Sequence, residues 1–166
     1  MTPQEQFVSL YKQMADLCKE NGWGDPFSYA RSKEIYATCV LGHTMPGPNV
    51  YAGADGINEK NEGVEYKSTT QETCRGSYTG ISVQPTWEKQ LHYLHTDKIG
   101  KYPEHYYNRF EDGVLVESWK MRGTKVLEIL TKKLKKKYPT VLEKKDPRLS
   151  ANISWTDIKK HGEQVI

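Results

Sequence analysis

The sequence predicts an α/β (α+β) domain built on one mixed β-sheet flanked by helices. Two observations predict it. Hydrophobic periodicity switches along the chain in the order α-α-β-β-β-α-β-β-α-tail, which fits one mixed sheet with helices packed on it. The chain's 166 residues, 36% hydrophobic and 11% aromatic, are enough to bury one core and too apolar for wholesale disorder. No repeat, low-complexity tract or linker divides it, so residues 1–166 are expected to form a single domain.

The elements follow in order. Thr2-Pro3-Gln4-Glu5 is a capping box with proline at the first helical position. Phe7, Leu10, Tyr11, Met14, Leu17 and Cys18 recur at helical spacing until Asn21-Gly22 stops the helix. Asp25-Pro26 opens a second helix with Tyr29, Ala30, Tyr36, Ala37 and Val40 on its apolar side. Residues 2–41 therefore offer two amphipathic helices to pack on the sheet or to form a dimer surface. Glu34 reads as a solvated residue, with a metal or supporting role as the lesser alternative. Gly42 to Asn49 is a loop, and His43 within it reads as structural.

The run Tyr51-Ala52-Gly53-Ala54 leads to a turn-prone Asp55-Gly56, and Gly63 breaks the loop before a strand, Val64 to Thr70. Gln71 to Gly76 is a loop. Ser77 to Gln84 reads as a strand with Tyr78, Gly80, Ser82 and Gln84 on one face and Thr79, Ile81 and Val83 on the other. Pro85-Thr86 caps a helix carrying Trp87, Leu91 and Leu94, with His92 and His95 on its surface. His105 to Phe110 and Val114 to Met121 are strands around the hairpin signal Glu111-Asp112-Gly113. Val126, Leu127, Leu130 and Leu134 stripe a helix that passes through a lysine cluster and ends at Tyr138-Pro139. Asp146 to Ala151 reads as a loop, Asn152 to Ser154 as a short strand, and Trp155 to His161 as a helical turn stopped by Gly162.

Charge and composition exclude some functions. A net charge of +3 is not that of a generic polycation. The run Lys132, Lys133, Lys135, Lys136 and Lys137, with Lys144 and Lys145, reads as a solvated face before it reads as a phosphate-contacting one. No apolar run approaches a membrane span and residues 1–20 lack a signal-peptide core, so no membrane partner and a cytoplasmic location are expected. Cys18, Cys39 and Cys74 form no zinc pattern; Cys18 and Cys39 lie among apolar helical positions as buried thiols.

The chemistry concentrates in residues 50–70. In a strand Glu65 and Lys67 share a face, while Val64 and Tyr66 point toward a core. If the Asp55-Gly56 turn folds back as a hairpin, Asp55 comes alongside Glu65. Two hard oxygen ligands and a backbone carbonyl can hold Mg²⁺, which keeps waters and accepts phosphate oxygens. A neighbouring ammonium can hold the attacking water and offset charge at phosphorus. The bland alternative is an exposed hairpin whose Glu–Lys pair is worth little. A calcium loop fails, because Ile57 and Lys60 stand where that loop needs an oxygen ligand and a glycine.

The spacing Asp55, nine residues, Glu65, one residue, Lys67 resembles the motif of PD-(D/E)xK nucleases, and the chain is most similar to their type II restriction endonucleases. Thr44-Met45-Pro46-Gly47, Gly53-Ala54-Asp55, Glu65-Tyr66-Lys67-Ser68 and the tail Lys159-Lys160-His161-Gly162 carry the resemblance. It implies a restriction-endonuclease-like sheet, and Mg²⁺ (or Mn²⁺ in its place) on Asp55, Glu65 and the Tyr66 carbonyl. It implies Lys67 at the water, hydrolysis leaving 5′-phosphate ends, and a homodimer on a short palindrome of double-stranded DNA. Ser77, Tyr78, Ser82, Gln84 and Asn152 are the candidate base contacts, and Arg75, Lys159, Lys160 and His161 the other candidate DNA contacts. Gly80-Ile81-Ser82-Val83-Gln84 departs from the histidine-rich recognition strand of the nearest members, so the chemistry can carry over while the sequence read does not. A structure-specific or repair nuclease and a non-catalytic DNA-binding module remain as alternatives.

Overall fold

In the computed structural model, residues 1–47 and 53–166 are described. The end of the loop predicted to reach Asn49, and Val50 to Ala52 of the predicted hairpin, lie outside the described residues. The fold is α+β. Strands β1 (Gly56–Ile57), β2 (Gly63–Thr69), β4 (Glu104–Glu111), β5 (Val114–Arg122) and β7 (Glu163–Gln164) form one mixed sheet in the order β1-β2-β4-β5-β7. The β2–β4 pair is parallel and the others are antiparallel. Strands β3 (Gly76–Ser82) and β6 (Arg148–Ile153) pair separately as an antiparallel ribbon.

Alternation along the strands builds two cores. Val64 and Tyr66 of β2 join Tyr106, Phe110 and Leu115 beneath Ala37 of α2 (Arg31–Leu41). Tyr107, the next residue after Tyr106, enters the larger core with Tyr78, Ile81, Met121, Leu149 and Ile153. That core is closed by Val126, Leu127, Leu130 and Leu134 of α4 (Gly123–Leu142). Among the described residues no helix is long and apolar enough to cross a membrane.

Helix α1 (Pro3–Glu20) begins at the predicted capping box, with Thr2 Oγ1 accepting from Glu5 N and Glu5 closing back on Thr2 N. Its apolar stripe is not covered: Phe7, Leu10, Tyr11, Met14 and Leu17 are all exposed, and Cys18 alone is buried. Cys39 is exposed too, against expectation, because α2 buries only Ala37 and Thr38.

Other boundaries differ for local reasons. Helix α2 starts at Arg31, not Asp25, because the Asp25 carboxylate accepts from Phe27 N and Ser28 Oγ and Tyr29 turns left-handed at φ 51°. The hairpin turns at Asn58, not at Asp55-Gly56. Asn58 Oδ1 accepts from the backbone N of Lys60 and Glu62, so Asp55 stays at the mouth of the hairpin. Helix α4 runs through Pro139, held by buried Val141 and by Tyr138 Oη donating to Gln84 O. Strand β6 already begins at Arg148, with Leu149, Ala151 and Ile153 inside and Arg148, Ser150 and Asn152 exposed.

Candidate active site

The site lies at the β1–β2 edge of the sheet. Gly53 takes φ 88° and its carbonyl accepts from Tyr102 Oη at 2.5 Å, which sets the chain's approach to Asp55. Asp55 N donates to Val64 O at 2.9 Å, and Asp55 Oδ2 accepts from Tyr66 N at 2.8 Å. The side chain that reads as a ligand is therefore fixed to the strand that bears the other two residues. Asp55, Glu65 and Lys67 line one cleft of about 370 Å³ together with Gly53, Ser77, Tyr78 and Thr79 of the ribbon side. Lys67 Nζ donates to Glu65 Oε1 at 2.5 Å and stands 4.8 Å from the centroid of the Tyr78 ring.

Negative charge exceeds what that lysine offsets. Burial, then Glu65 and Glu34, push Asp55 up to about 8. Glu34 is also raised: burial comes first, Glu65 adds to it, and Arg31, paired at 2.9 Å, opposes it. The expectation of a solvated Glu34 is thus corrected, because α2 holds it within electrostatic reach of Asp55 and Glu65. Period-3.6 reading could place Glu34 on a helix but not say which carboxylates it would face.

This donor set fits a divalent cation. Asp55 and Glu65 are hard oxygen donors, and Asp55 Oδ1 makes no hydrogen bond among the described residues. A cation would favour the ionised Asp55 that its surroundings oppose. Among the described residues no three His, Cys, Asp or Glu side chains form a ready metal cage. The ion would therefore rest on two carboxylates, the Tyr66 carbonyl and oxygens from water or substrate.

Part of the cleft wall was missed from sequence. Helix α3 (Trp87–Tyr93) passes into a π-helical turn, Leu94–Lys98, and Asp97, Lys98, Ile99, Lys101 and Tyr102 line the same cleft, with Lys101 and Tyr102 next to Gly53. The signal was available in Lys98-Ile99-Gly100-Lys101, two cations around a helix end. No protein-family model matches the chain, and no curated protein matches it significantly in sequence.

The predicted DNA contacts separate into groups. Ser77 is exposed in the cleft and pairs across the ribbon with exposed Asn152. Ser82 pairs with Arg148, whose Nη1 donates to Ser82 Oγ at 3.3 Å. Gln84 lies just beyond β3, its backbone N bonded to Gln90 Oε1 and its carbonyl to Tyr138 Oη, with its side chain half-buried. Tyr78 is buried and is not a surface contact, which corrects the predicted face. Between Tyr78↔Ala151 and Ile81↔Leu149, β3 carries two residues where β6 carries one. Gly80, at φ 63°, takes up the extra residue. The bulge turns both Tyr78 and Ile81 inward and breaks the period of two. Arg75 is exposed before β3 but does not line the cleft. Lys159, Lys160 and His161 are exposed on α5 (Trp155–His161), which packs against β5, two strands from β2. None of the three lines the cleft.

The lysine run also divides. Lys133 Nζ donates to Asn152 O and Asp157 Oδ2, and Lys137 Nζ to Ser150 O. These two lysines cap outward carbonyls of β6 and protect a ribbon edge. Lys133 is half-buried, whereas Lys132, Lys135, Lys136, Lys137, Lys144 and Lys145 are exposed.

Proposed function

We propose that the chain is a Mg²⁺-dependent, sequence-specific endonuclease of double-stranded DNA, of the type II restriction class. The observation that carries this is the convergence of Asp55, Glu65 and Lys67 in one cleft that Lys98 and Lys101 also line. Asp55 and Glu65 would hold the ion, with the Tyr66 carbonyl, and Mn²⁺ could replace Mg²⁺. When bound, the ion lowers the pKa of a water and neutralises charge on the phosphate. Lys67 orients the attacking water or a phosphate oxygen by donation from Nζ. Lys98 and Lys101 attract the phosphate backbone into the cleft.

The ribbon next to the cleft has the width of a major-groove reader. Its exposed row of Ser77, Thr79, Arg148, Ser150 and Asn152 offers hydroxyls, an amide and a guanidinium to base edges. The uncovered α1 stripe and the adjoining apolar groove of about 360 Å³, lined by Met14, Leu17, Trp23, Pro26, Tyr36 and Phe110, support the reading of a homodimer. Two copies would present two sites to a palindrome.

The test is incubation with long defined DNA, with Mg²⁺ and with chelator, followed by a gel. Discrete Mg²⁺-dependent fragments are expected. A smear, or cleavage of branched DNA alone, would replace specificity for sequence with specificity for shape. No cleavage with either metal would leave a DNA-binding module.

A further inference from the structure

His105 is a buried titratable group that the proposed chemistry does not use. It lies beside Glu65 in the parallel β2–β4 register, and Tyr107 lies beside Lys67. Alternation puts all four side chains on the same face of the sheet. His105 is fully buried. Its Nε2 is 3.0 Å from Ile99 O, at the end of the π-helical turn, and its Nδ1 is 2.8 Å from Tyr78 Oη.

A carbonyl only accepts, so Nε2 carries the proton. Burial pushes the ring down to about 4, so it is neutral and Nδ1 has no proton. Tyr78 Oη must then donate to Nδ1. Tyr107 Oη, 3.0 Å from Tyr78 Oη, donates in turn to it. The donors of this buried chain thus run in one direction, from Tyr107 through Tyr78 to His105 and on to Ile99 O. The two bonds fix the rotation and tilt of the Tyr78 ring, on which Lys67 Nζ sits. A Cβ on Gly76 would come within 3.2 Å of Lys67 Cγ, so β3 also bounds the lysine stem.

We propose that His105 is a positioning residue: it holds the Tyr78 ring as the seat of the Lys67 ammonium and ties that seat to the lysine-bearing wall through Ile99. The proposal rests on the nuclease reading for its kinetic consequence, not for its geometry. Without the Nδ1 bond the Tyr78 ring gains freedom, and Lys67 is left with its ion pair to Glu65 as the main restraint. Lys67 then spends less time aimed at the reacting centre, and displacements near 1 Å cost up to about 100-fold in rate.

Three substitutions separate the two bonds. His105→Phe removes both. His105→Asn places Oδ1 where Nδ1 stood and restores the acceptor for Tyr78. His105→Gln restores the donor toward Ile99 only. His105→Phe is expected to lower kcat about tenfold or more, with KM, and Kd for cognate DNA in Ca²⁺, unchanged. His105→Asn should recover most of the loss and His105→Gln little. If His105→Phe does not fold, Tyr78→Phe keeps the ring volume, loses both hydroxyl bonds and should show the same fall in kcat.

Nuclear magnetic resonance gives a readout independent of cleavage. The Lys67 ε-methylene protons should show an upfield ring-current shift that shrinks in His105→Phe and returns in His105→Asn. Unchanged kcat in His105→Phe, equal losses in binding and turnover, or a better rescue by glutamine than by asparagine would overturn the proposal. A wild-type protein that cuts no DNA would end the nuclease reading, and the ring-current series would still decide this one.

Discussion

Replacing Asp55 with asparagine in the metal-free protein is expected to stabilise the fold, and to do so more as pH rises. Most substitutions in a cleft destabilise, so the direction is diagnostic. Asp55 is held at about 8, against 3.8 for the free side chain, by burial and by Glu65 and Glu34. A carboxyl whose folded pKa is raised binds more protons folded than unfolded, so the wild type loses stability between those two values as pH rises. At pH 7 the interval is about three units, an upper bound of about 4 kcal/mol at 1.36 kcal/mol per unit. Asparagine carries no such cost, and its Oδ1 can still accept from Tyr66 N. Allowing for relaxation around the neutral amide, a gain of about 2 kcal/mol is expected at pH 7, or about 4–8 °C in Tm for a chain this long.

The assay is thermal unfolding in chelator at about pH 4 and at about pH 7.5, where the gain should be near zero and near its maximum respectively. Adding excess Ca²⁺ at the higher pH should raise the wild-type Tm and leave the variant nearly unmoved, because a ligand stabilises only the state that binds it. Equal Tm differences at both pH values, or a destabilised variant at the higher one, would show that Asp55 is not opposed by neighbouring carboxylates.

Three further outcomes are expected. Asp55→Ala should abolish Mg²⁺-dependent cleavage while leaving fluorescence-monitored DNA binding in Ca²⁺ largely intact. Arg148→Ala should cost about 1–3 kcal/mol in binding cognate duplex and little on random duplex, whereas Lys101→Ala should weaken both alike and reduce the salt slope by about one. Leu10→Glu combined with Met14→Glu should convert a dimer to a monomer by light scattering without loss of the circular-dichroism spectrum, since both side chains are exposed in the single chain.

Local grammar made much of this legible in sequence. The α1 capping box, the β4–β5 hairpin around Asp112-Gly113 and the α4 stripe depend on near neighbours, and each formed where its signals stand. The alternation of Glu65 and Lys67 against Val64 and Tyr66 was equally local. What stayed hidden depends on distant partners or on one irregular residue. A single extra residue at Gly80 moves Tyr78 from the predicted groove face into the core. Glu34 came within electrostatic reach of Asp55 and Glu65 because α2 packs on the sheet beside Val64 and Tyr66. Lys133 and Lys137 looked like solvated charge until β6 offered them carbonyls.

Tyr66 shows why the core and the site cannot be separated. Its ring is buried with Ala37, Val64 and Tyr106, and its hydroxyl lies 2.7 Å from His43 Nδ1, at the end of α2. Its backbone N holds Asp55, and its neighbours in sequence are Glu65 and Lys67. The space above Gly56 is closed by the same hydroxyl: a Cβ there would clash with Tyr66 Oη. Burying this one side chain therefore fixes the pitch of β2, the approach of β1 and the bond to the Asp55 carboxylate together. The favourable burial lies on one face of the strand and the unfavourable gathering of charge on the other. A strand with period two is the simplest element that lets the first offset the second within four residues, Val64 to Lys67.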